Sequence, residues 1–331
     1  MPLFFVLLFL VSDPAQAPSL LQRGLIALQH AQLREAQENL EQASRADPKN
    51  PYVWASLAET YFRLKEPEKA SAAAETAEKS GGGDPLVAHA LAMYYSEAGD
   101  LARAAQFEEQ YRAAAWEKAK ADPRIAFDYV QILLRREEFT RAAEVTDAAL
   151  QANPKNAQLI LALGVARYGQ RRFEDAIVAF LKVIDIDPAI EQPYLFLGRM
   201  LDQAGTHLDE IEKDYAAWAA RDSGNAEAQL LLAKALLAND SQSERAEALL
   251  RRSIELNGND WESHYELGVL LAGKREYKEA AGELTRSIEL DPKEPMPHYH
   301  LARVYDRLGQ PEQAKAEREA HERLTDHTTP P

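Results

Sequence analysis

The sequence predicts an all-α protein built from repeated helix hairpins, and three observations support this prediction. Ala, Leu, Glu, Gln, Arg and Lys, which are strong helix formers, dominate the composition. Runs of β-branched residues with alternating polarity, which are typical of strands, do not occur in the sequence. Residues 157–190 and 261–294 also share one layout of two helices, a central break and an Asp-Pro near the end.

The shared layout places particular residue types at fixed positions of a unit of about 34 residues. Position 8 is small, and its column contains Gly24, Ala58, Ala92, Gly164, Gly198, Gly268 and Ala302. Position 20 is alanine, and its column contains Ala36, Ala70, Ala104, Ala142, Ala176, Ala246, Ala280 and Ala314. Large apolar residues stand at positions 4, 7, 11 and 24, as Trp54, Leu57 and Tyr61 illustrate. Small side chains let two helix axes approach closely while larger residues fill the space beside them.

These columns resemble the tetratricopeptide-repeat family. The resemblance implies a right-handed α-solenoid, a superhelix of stacked antiparallel helix hairpins, in which the alanine at position 20 faces the small residue at position 8. We expect the solenoid to extend over residues 18–328 and to contain about nine units. The units are 17–50, 51–84, 85–122, 123–156, 157–190, 191–224, 225–260, 261–294 and 295–328.

Three units depart from the regular length or pattern. In the third, we expect the second helix to continue to about Lys120; in the seventh, two extra residues lie between the helices, within 239–243. In the sixth unit Glu210 and Asp214 occupy positions that should be buried, whereas a shift by one residue aligns Ile211, Tyr215 and Trp218 on one face. This pattern favours a helix rotated in its packing, with a local change of curvature, and leaves a domain boundary as the alternative.

The last unit has the features of a terminal repeat. Polar residues occupy two usual packing positions, and the remaining apolar stripe consists of Ala314, Ala316, Ala320 and Leu324. A polar outer face suits a repeat beyond which nothing stacks. We expect residues 325–331 to be a disordered tail.

The N-terminus has the pattern of a secretion signal. Residues 3–11 form an apolar run, too short to span a bilayer, and Ala15-Gln16-Ala17 resembles a cleavage site. No basic residue precedes the run, and Pro18 follows the site, so a buried or frayed segment is the alternative. We expect residues 1–17 to be a signal peptide, which makes the chain periplasmic or secreted if cleavage occurs and cytoplasmic otherwise.

The composition and motifs argue against several kinds of function. A formal net charge of -15 without a basic run disfavours a nucleic-acid partner. The lack of cysteine excludes disulfides, thiolate zinc ligands and a cysteine nucleophile. The glycine cluster at 81–83 lacks a phosphate-loop Lys and predicts a turn with left-handed conformations, and His298 and His300 lie on different faces of a helix. We therefore expect no catalytic site, cofactor, metal or stable membrane span.

The resemblance implies a binding groove along the first helix of each unit, at positions 2, 5, 9, 12 and 13. The groove residues predicted in the first five units are Tyr52, Glu59, Phe62, Arg63, His89, Met93, Arg124, Phe127, Gln131, Arg135, Leu161 and Tyr168. Those predicted in the later units are Arg199, Asp202, Gln229, Tyr265, Tyr299 and Arg303. This aromatic and polar lining suits an extended peptide or a partner's helix. It departs from the Lys/Asn carboxylate clamp of chaperone-binding members.

The sequence thus favours a non-catalytic scaffold that binds a peptide or partner protein in the concave groove. The alternative is a substrate-recruiting or assembly subunit of an enzyme complex whose catalytic chain is separate. A third reading is self-association through exposed solenoid ends. The identity of the partner and the oligomeric state stay open, because repeat proteins keep the fold and vary the groove.

Overall fold

A computed structural model describes residues 19–81 and 83–326, and within them the chain forms eighteen α-helices and two short 3-10 turns, without strands. The helices of the first four hairpins are α1 Leu20–Gln29, α2 Leu33–Ala46, α3 Pro51–Arg63, α4 Pro67–Gly81, α5 Pro85–Ala98, α6 Leu101–Lys118, α7 Pro123–Arg135 and α8 Phe139–Ala152. The helices that follow are α9 Ala157–Gly169, α10 Phe173–Ile186, α11 Gln192–Gly198, α12 Leu208–Arg221, α13 Ala226–Asn239, α14 Glu244–Leu256, α15 Trp261–Gly273, α16 Tyr277–Leu290, α17 Pro295–Arg307 and α18 Pro311–Asp326. The predicted all-α fold of stacked helix hairpins is confirmed.

The helices divide into two compact units, Met1–Pro154 and Lys155–Pro331. Within each unit the two helices of a hairpin pack together, and the second helix of one hairpin contacts the first helix of the next. First helices also contact first helices, as α3 does with α5 in one unit and α15 with α17 in the other. We call these first helices the first-helix layer of each unit; it carries most of the predicted groove residues, whereas Arg199 and Asp202 follow the end of α11.

Local sequence signals set where the first helices begin and end. Asn50, Asp84 and Asp122 cap α3, α5 and α7 through side-chain oxygens that accept backbone N–H groups, and each is followed by a proline at the first helical position. Eight hairpins then have one residue with positive φ at position 15. These residues are Ala31, Lys65, Gly99, Glu137, Arg171, Gly205, Arg275 and Gly309. A single left-handed residue reverses the chain into the second helix.

The two helices of a hairpin approach each other closely where position 8 of the first helix meets position 24 of the second. An added Cβ atom at Gly268 would lie 2.7 Å from Cγ of Leu284, and one at Gly164 would lie 2.6 Å from the ring of Phe180. The expectation that the alanine at position 20 faces position 8 is therefore incomplete. The large side chain at position 24, one turn after position 20 on the second helix, covers the small residue at position 8. This contact explains why small residues at position 8 and large residues at position 24 recur together.

The sixth hairpin confirms the rotated helix. Ile211, Tyr215 and Trp218 are buried, whereas Asp214 is only partly buried. The Tyr215 hydroxyl donates a hydrogen bond to the backbone oxygen of Tyr194 at 2.9 Å. Because Asp214 replaces the large apolar residue, the atom nearest to an added Cβ at Gly198 belongs to Leu231 of the following hairpin, at 2.5 Å.

The connection between α11 and α12 also shifts the repeat frame. It contains two 3-10 turns, Leu201–Gln203 and Gly205–His207, and α12 begins at Leu208, one residue later in its repeat than the regular second helix. Ala233 of α13 consequently takes the buried position 8, although the predicted frame, starting at 225, placed it at position 9. The seventh unit begins at Ala226, the first residue of α13, and one residue of the predicted two-residue excess belongs to the sixth unit.

The chain ends and the glycine cluster differ in part from expectation. Helix α6 ends at Lys118, two residues before the expected end, and α18 continues through Asp326, so the first two residues of the predicted tail are helical. Ala316 is exposed, although Ala314 of the same stripe is buried. Neither Gly81 nor Gly83 has the expected positive φ. The signal-peptide prediction and residues 82 and 327–331 lie outside the described residues.

Candidate functional site

In the first compact unit, Met1–Pro154, the predicted groove residues lie along α3, α5 and α7. Tyr52 and Phe62 pack against the core, and the Phe62 ring meets the Tyr94 ring edge-on at 6.0 Å. Burial and a hydrogen bond with Asp84 raise the pKa of Tyr52 to about 12. Burial raises the pKa of Glu59. Its carboxylate pairs with Arg63 at 3.0 Å. These side chains make a partly buried surface with one ion pair along α3.

On α5 the predicted residues flank a cavity against α6. The ring of His89 stacks on that of Tyr111 at 4.4 Å, and its buried Nδ1 has no hydrogen-bond partner among the described residues. Met93 lines a cavity of about 460 Å³ together with Glu97 and Glu108. His89 and Arg112 lower the pKa of Glu108 to about 2, so this carboxylate is ionised at neutral pH.

The predicted residues of α7 are less enclosed. Arg124 and Arg135 are exposed, and Arg124 pairs with the capping residue Asp122 at 3.3 Å. Phe127 and Gln131 are partly buried. Helix α7 therefore presents charged side chains at both ends and less polar ones between them.

In the second compact unit, Lys155–Pro331, several predicted groove residues pack against the core. Leu161 and Tyr168 lie against the core, and the Tyr168 ring meets the rings of Phe173 and Phe196 edge-on at 5.8 and 5.6 Å. Arg199 is exposed and places its guanidinium 5.9 Å from the Phe196 ring centre. The aromatic side chains thus join neighbouring hairpins while Arg199 remains accessible.

Gln229 is buried, contrary to its predicted place on the groove. The one-residue shift puts Gln229 at position 4, equivalent to the buried His264 of the next unit. The residues of α13 that face the neighbouring first helix are instead Glu227 and Lys234. The pattern of the sixth repeat already required a shift of one residue for its second helix. The same shift applied to the seventh repeat would have identified Glu227 and Lys234.

Sequence reasoning also missed an acidic cluster on α13 and α15. We use this term for Glu227, Glu262 and Glu266, which surround Lys234. Lys234 pairs with Glu262 and is mostly buried. Burial raises the pKa of Glu266 to about 7, the charges of Glu262 and Asp202 add to this effect, and Lys234 opposes it. Glu227 is exposed, and partial desolvation of its carboxylate, followed by the charges of Glu262 and Asp260, raises its pKa.

A basic cavity lies at the other end of α15, where this helix meets α16 and α17. It has a volume of about 280 Å³ and is lined by Val269, Ala272, Gly273, Tyr277, His300, Arg303, Val304 and Arg307. Arg303 lies 5.6 Å from the ring centre of the exposed Tyr299. Burial and the charge of Arg303 lower the pKa of His300, so its imidazole is neutral at physiological pH. The predicted residues Tyr299 and Arg303 thus lie beside a recess with an apolar floor.

Tyr265 connects the two charged regions. Burial raises its pKa to about 12, and its ring meets that of His300 at 5.6 Å. Tyr265 thus packs between the acidic cluster and the basic cavity on one layer of first helices.

The described residues contain no group of three or more His, Asp or Glu side chains arranged to hold a metal ion. In the same part of the chain, no helix is both long enough and apolar enough to cross a membrane.

Family models identify the repeats independently of the structure. Models described as tetratricopeptide repeat match residues 127–189, 161–226 and 230–295, and further models of the same description match residues 27–94 and 283–316. No curated protein sequence gives a significant match.

Solved structures that match this chain include MamA, YrrB and Tom70. The crystal structure of MamA is 22% identical with a TM-score of 0.42, covering 50% of this chain and 95% of that one. YrrB, described as a TPR protein with an unusual peptide-binding site, is 19% identical with a TM-score of 0.39, covering 66% of this chain and 95% of that one. Yeast Tom70 is 12% identical with a TM-score of 0.45, covering 92% of this chain and 91% of that one.

The matched family models span most of the chain, and the hairpins that they cover are the stacked helix pairs of the structure. The chain therefore belongs to the tetratricopeptide-repeat family.

Proposed function

We propose that this chain is a non-catalytic scaffold that binds an extended peptide or a helix of a partner protein on its first-helix layer. Tetratricopeptide repeats generally serve protein–protein interaction, and the chain's repeats place it in that class. The binding of a peptide, and the face on which it binds, are our own proposal.

One observation carries the proposal: large apolar side chains are exposed on a first helix. Met296 and Tyr299 of α17 are 42% and 39% exposed, and their spacing of three residues puts them on one face. Arg303 continues the same face one turn later. Exposed apolar patches beside polar residues are typical of protein-binding surfaces, and Tyr and Arg are enriched at their energetic centres.

A site-specific photo-cross-linking experiment tests the proposal. A photoreactive phenylalanine analogue replaces Tyr299 on α17 in one protein and Val178 on α10 in a second. Val178 is the matched control because it is 49% exposed but lies on a second helix of the same unit. In native extracts, we expect a discrete protein adduct from position 299 and none from position 178.

Adducts from position 178 alone would place the binding surface on the second helices and contradict the proposal. Circular dichroism of both proteins should show equal helicity, because neither replaced side chain is buried.

A further inference from the structure

The basic cavity contains two cationic side chains that no carboxylate of the described residues compensates. Arg303 and Arg307 are exposed, and among the described residues neither forms an ion pair with a carboxylate. Asp306, the acidic residue between them, pairs instead with Arg318 at 2.8 Å. In a chain with a formal net charge of -15, this concentration of positive charge is a local exception.

The floor of the same cavity is apolar. Val269, Ala272 and Val304 contribute aliphatic surface, and Gly273 leaves room because no atom lies within 4 Å of the Cβ position there. A recess of about 280 Å³ accepts one apolar side chain of moderate size. A ligand for this site therefore combines one apolar group with negative charge.

From these features we propose that the basic cavity binds an internal acidic peptide segment of a partner, with one apolar side chain inserted and two side-chain carboxylates on Arg303 and Arg307. The inference rests on the proposed function and names the partner chemistry for one part of the first-helix layer. A single chain-terminal carboxylate would leave one of the two guanidiniums uncompensated.

The spacing of the arginines specifies the peptide pattern. Residues four apart on a helix have Cβ atoms about 5–6 Å apart. Alternate residues of an extended peptide lie on one face, separated by about 6.8 Å at roughly 3.4 Å per residue. An extended segment with an apolar residue, then an acidic residue two positions on, then another acidic residue two further on, matches the recess and both arginines.

The acidic cluster restricts what may precede this pattern. Glu262 and Glu266 lie on the same face of α15 as Val269 and Gly273, because these residues are separated by four, three and four positions. A peptide that extends from the basic cavity along this face meets the carboxylates of Glu262 and Glu266. Acidic residues in the part of the peptide that lies beside Glu262 and Glu266 are therefore disfavoured.

Selection from a phage library of random heptapeptides, with the full chain as bait, tests the inference. A second selection uses the variant carrying Arg303→Gln and Arg307→Gln, and a third uses Arg252→Gln with Arg286→Gln. The third variant loses the same charge from two solvent-accessible, ion-paired arginines on the second helices α14 and α16. A synthetic peptide with the most enriched sequence is then titrated against all three proteins by fluorescence anisotropy.

We expect the parent chain to enrich peptides with the apolar-x-acidic-x-acidic pattern. Their affinity should fall at least tenfold for the Arg303/Arg307 variant and change less than twofold for the Arg252/Arg286 variant. Equal loss in both variants would indicate unspecific attraction and overturn the inference. Enrichment of peptides without acidic residues would overturn it too, while the cross-linking result at Tyr299 judges the scaffold function separately.

Discussion

At the scale of single residues, one shift in the repeat frame decides which side chains a partner can reach. Gln229 is buried and the mostly buried Lys234 faces the neighbouring first helix, because α12 begins one residue later in its repeat than a regular second helix. The side chains surrounding Lys234 are acidic, so their protonation depends on one another. Burial, with smaller contributions from the charges of Glu262 and Asp202, raises the pKa of Glu266 to about 7.

The raised pKa of Glu266 predicts a pH-dependent stability. An unfolded Glu has a pKa of about 4.3, so between about pH 4 and 7 the folded chain retains a proton that the unfolded chain releases. The contribution of this group to stability therefore falls as the pH rises through that range. We expect Glu266→Gln to raise the free energy of unfolding of its unit by about 1–3 kcal/mol at pH 8 and to have little effect at pH 4.

Urea unfolding followed by circular dichroism at both pH values measures this difference. Glu322→Gln on α18 is the control, because that side chain is exposed. A Glu266→Gln variant that is no more stable than the parent at pH 8 would show that the carboxylate is better solvated than the structure indicates.

At the scale of helices, close contact between positions 8 and 24 determines how each hairpin packs. Gly268 of α15 lies against Leu284 of α16, which is fully buried. The leucine side chain occupies the space that a Cβ atom at position 268 would need. Packed interiors resist added volume, because neighbouring side chains must leave their preferred rotamers.

We expect Gly268→Ala to destabilise its unit by about 1–3 kcal/mol, since the new methyl group would lie 2.7 Å from Cγ of Leu284 and 3.2 Å from its backbone nitrogen. The matched control is Gly282→Ala on α16, where nothing lies within 4 Å of the Cβ position. That substitution should stabilise the helix by about 0.5–1 kcal/mol through helix propensity alone. Thermal unfolding of the two variants should shift in opposite directions; a shift in the same direction would contradict the close-contact account.

At the scale of the whole molecule, the hairpins form two compact units, and each hairpin depends on its neighbours for burial. In Lys155–Pro331 the core extends from Ala176 to Val304 and includes a cluster of aromatic rings in the sixth hairpin. Trp218, 2% exposed, lies 4.6 Å from the ring of Tyr194 and is the largest of these side chains. In repeat proteins stability is approximately a sum of hairpin and nearest-neighbour contributions.

Trp218→Ala should therefore destabilise the sixth hairpin and its neighbours more than the end of the unit. Removing a buried Trp typically costs about 3–5 kcal/mol. We expect amide hydrogen exchange, read by mass spectrometry, to accelerate most in α10–α13 and least in α17 and α18. Uniform acceleration across Lys155–Pro331 would instead mean that this unit opens as a single cooperative body.

The sequence by itself determined the helical fold and the repeat length, and it indicated which helices form the first-helix layer. Periodic small and large residues carry these features, because the same local packing recurs in every hairpin. The sequence also indicated the rotated helix of the sixth unit, since Ile211, Tyr215 and Trp218 cannot remain apolar and exposed together.

Only the tertiary structure decided which members of that layer are accessible and how their charges combine. Gln229 is buried, and Glu227 and Lys234 face the neighbouring first helix, because an irregular connection shifted the frame. Arg303, Arg307 and the apolar floor from α15 form one recess because residues distant in sequence meet where first helices pack. Burial and charge at such meeting points depend on all neighbouring helices at once, and a repeat pattern read along the chain does not specify them.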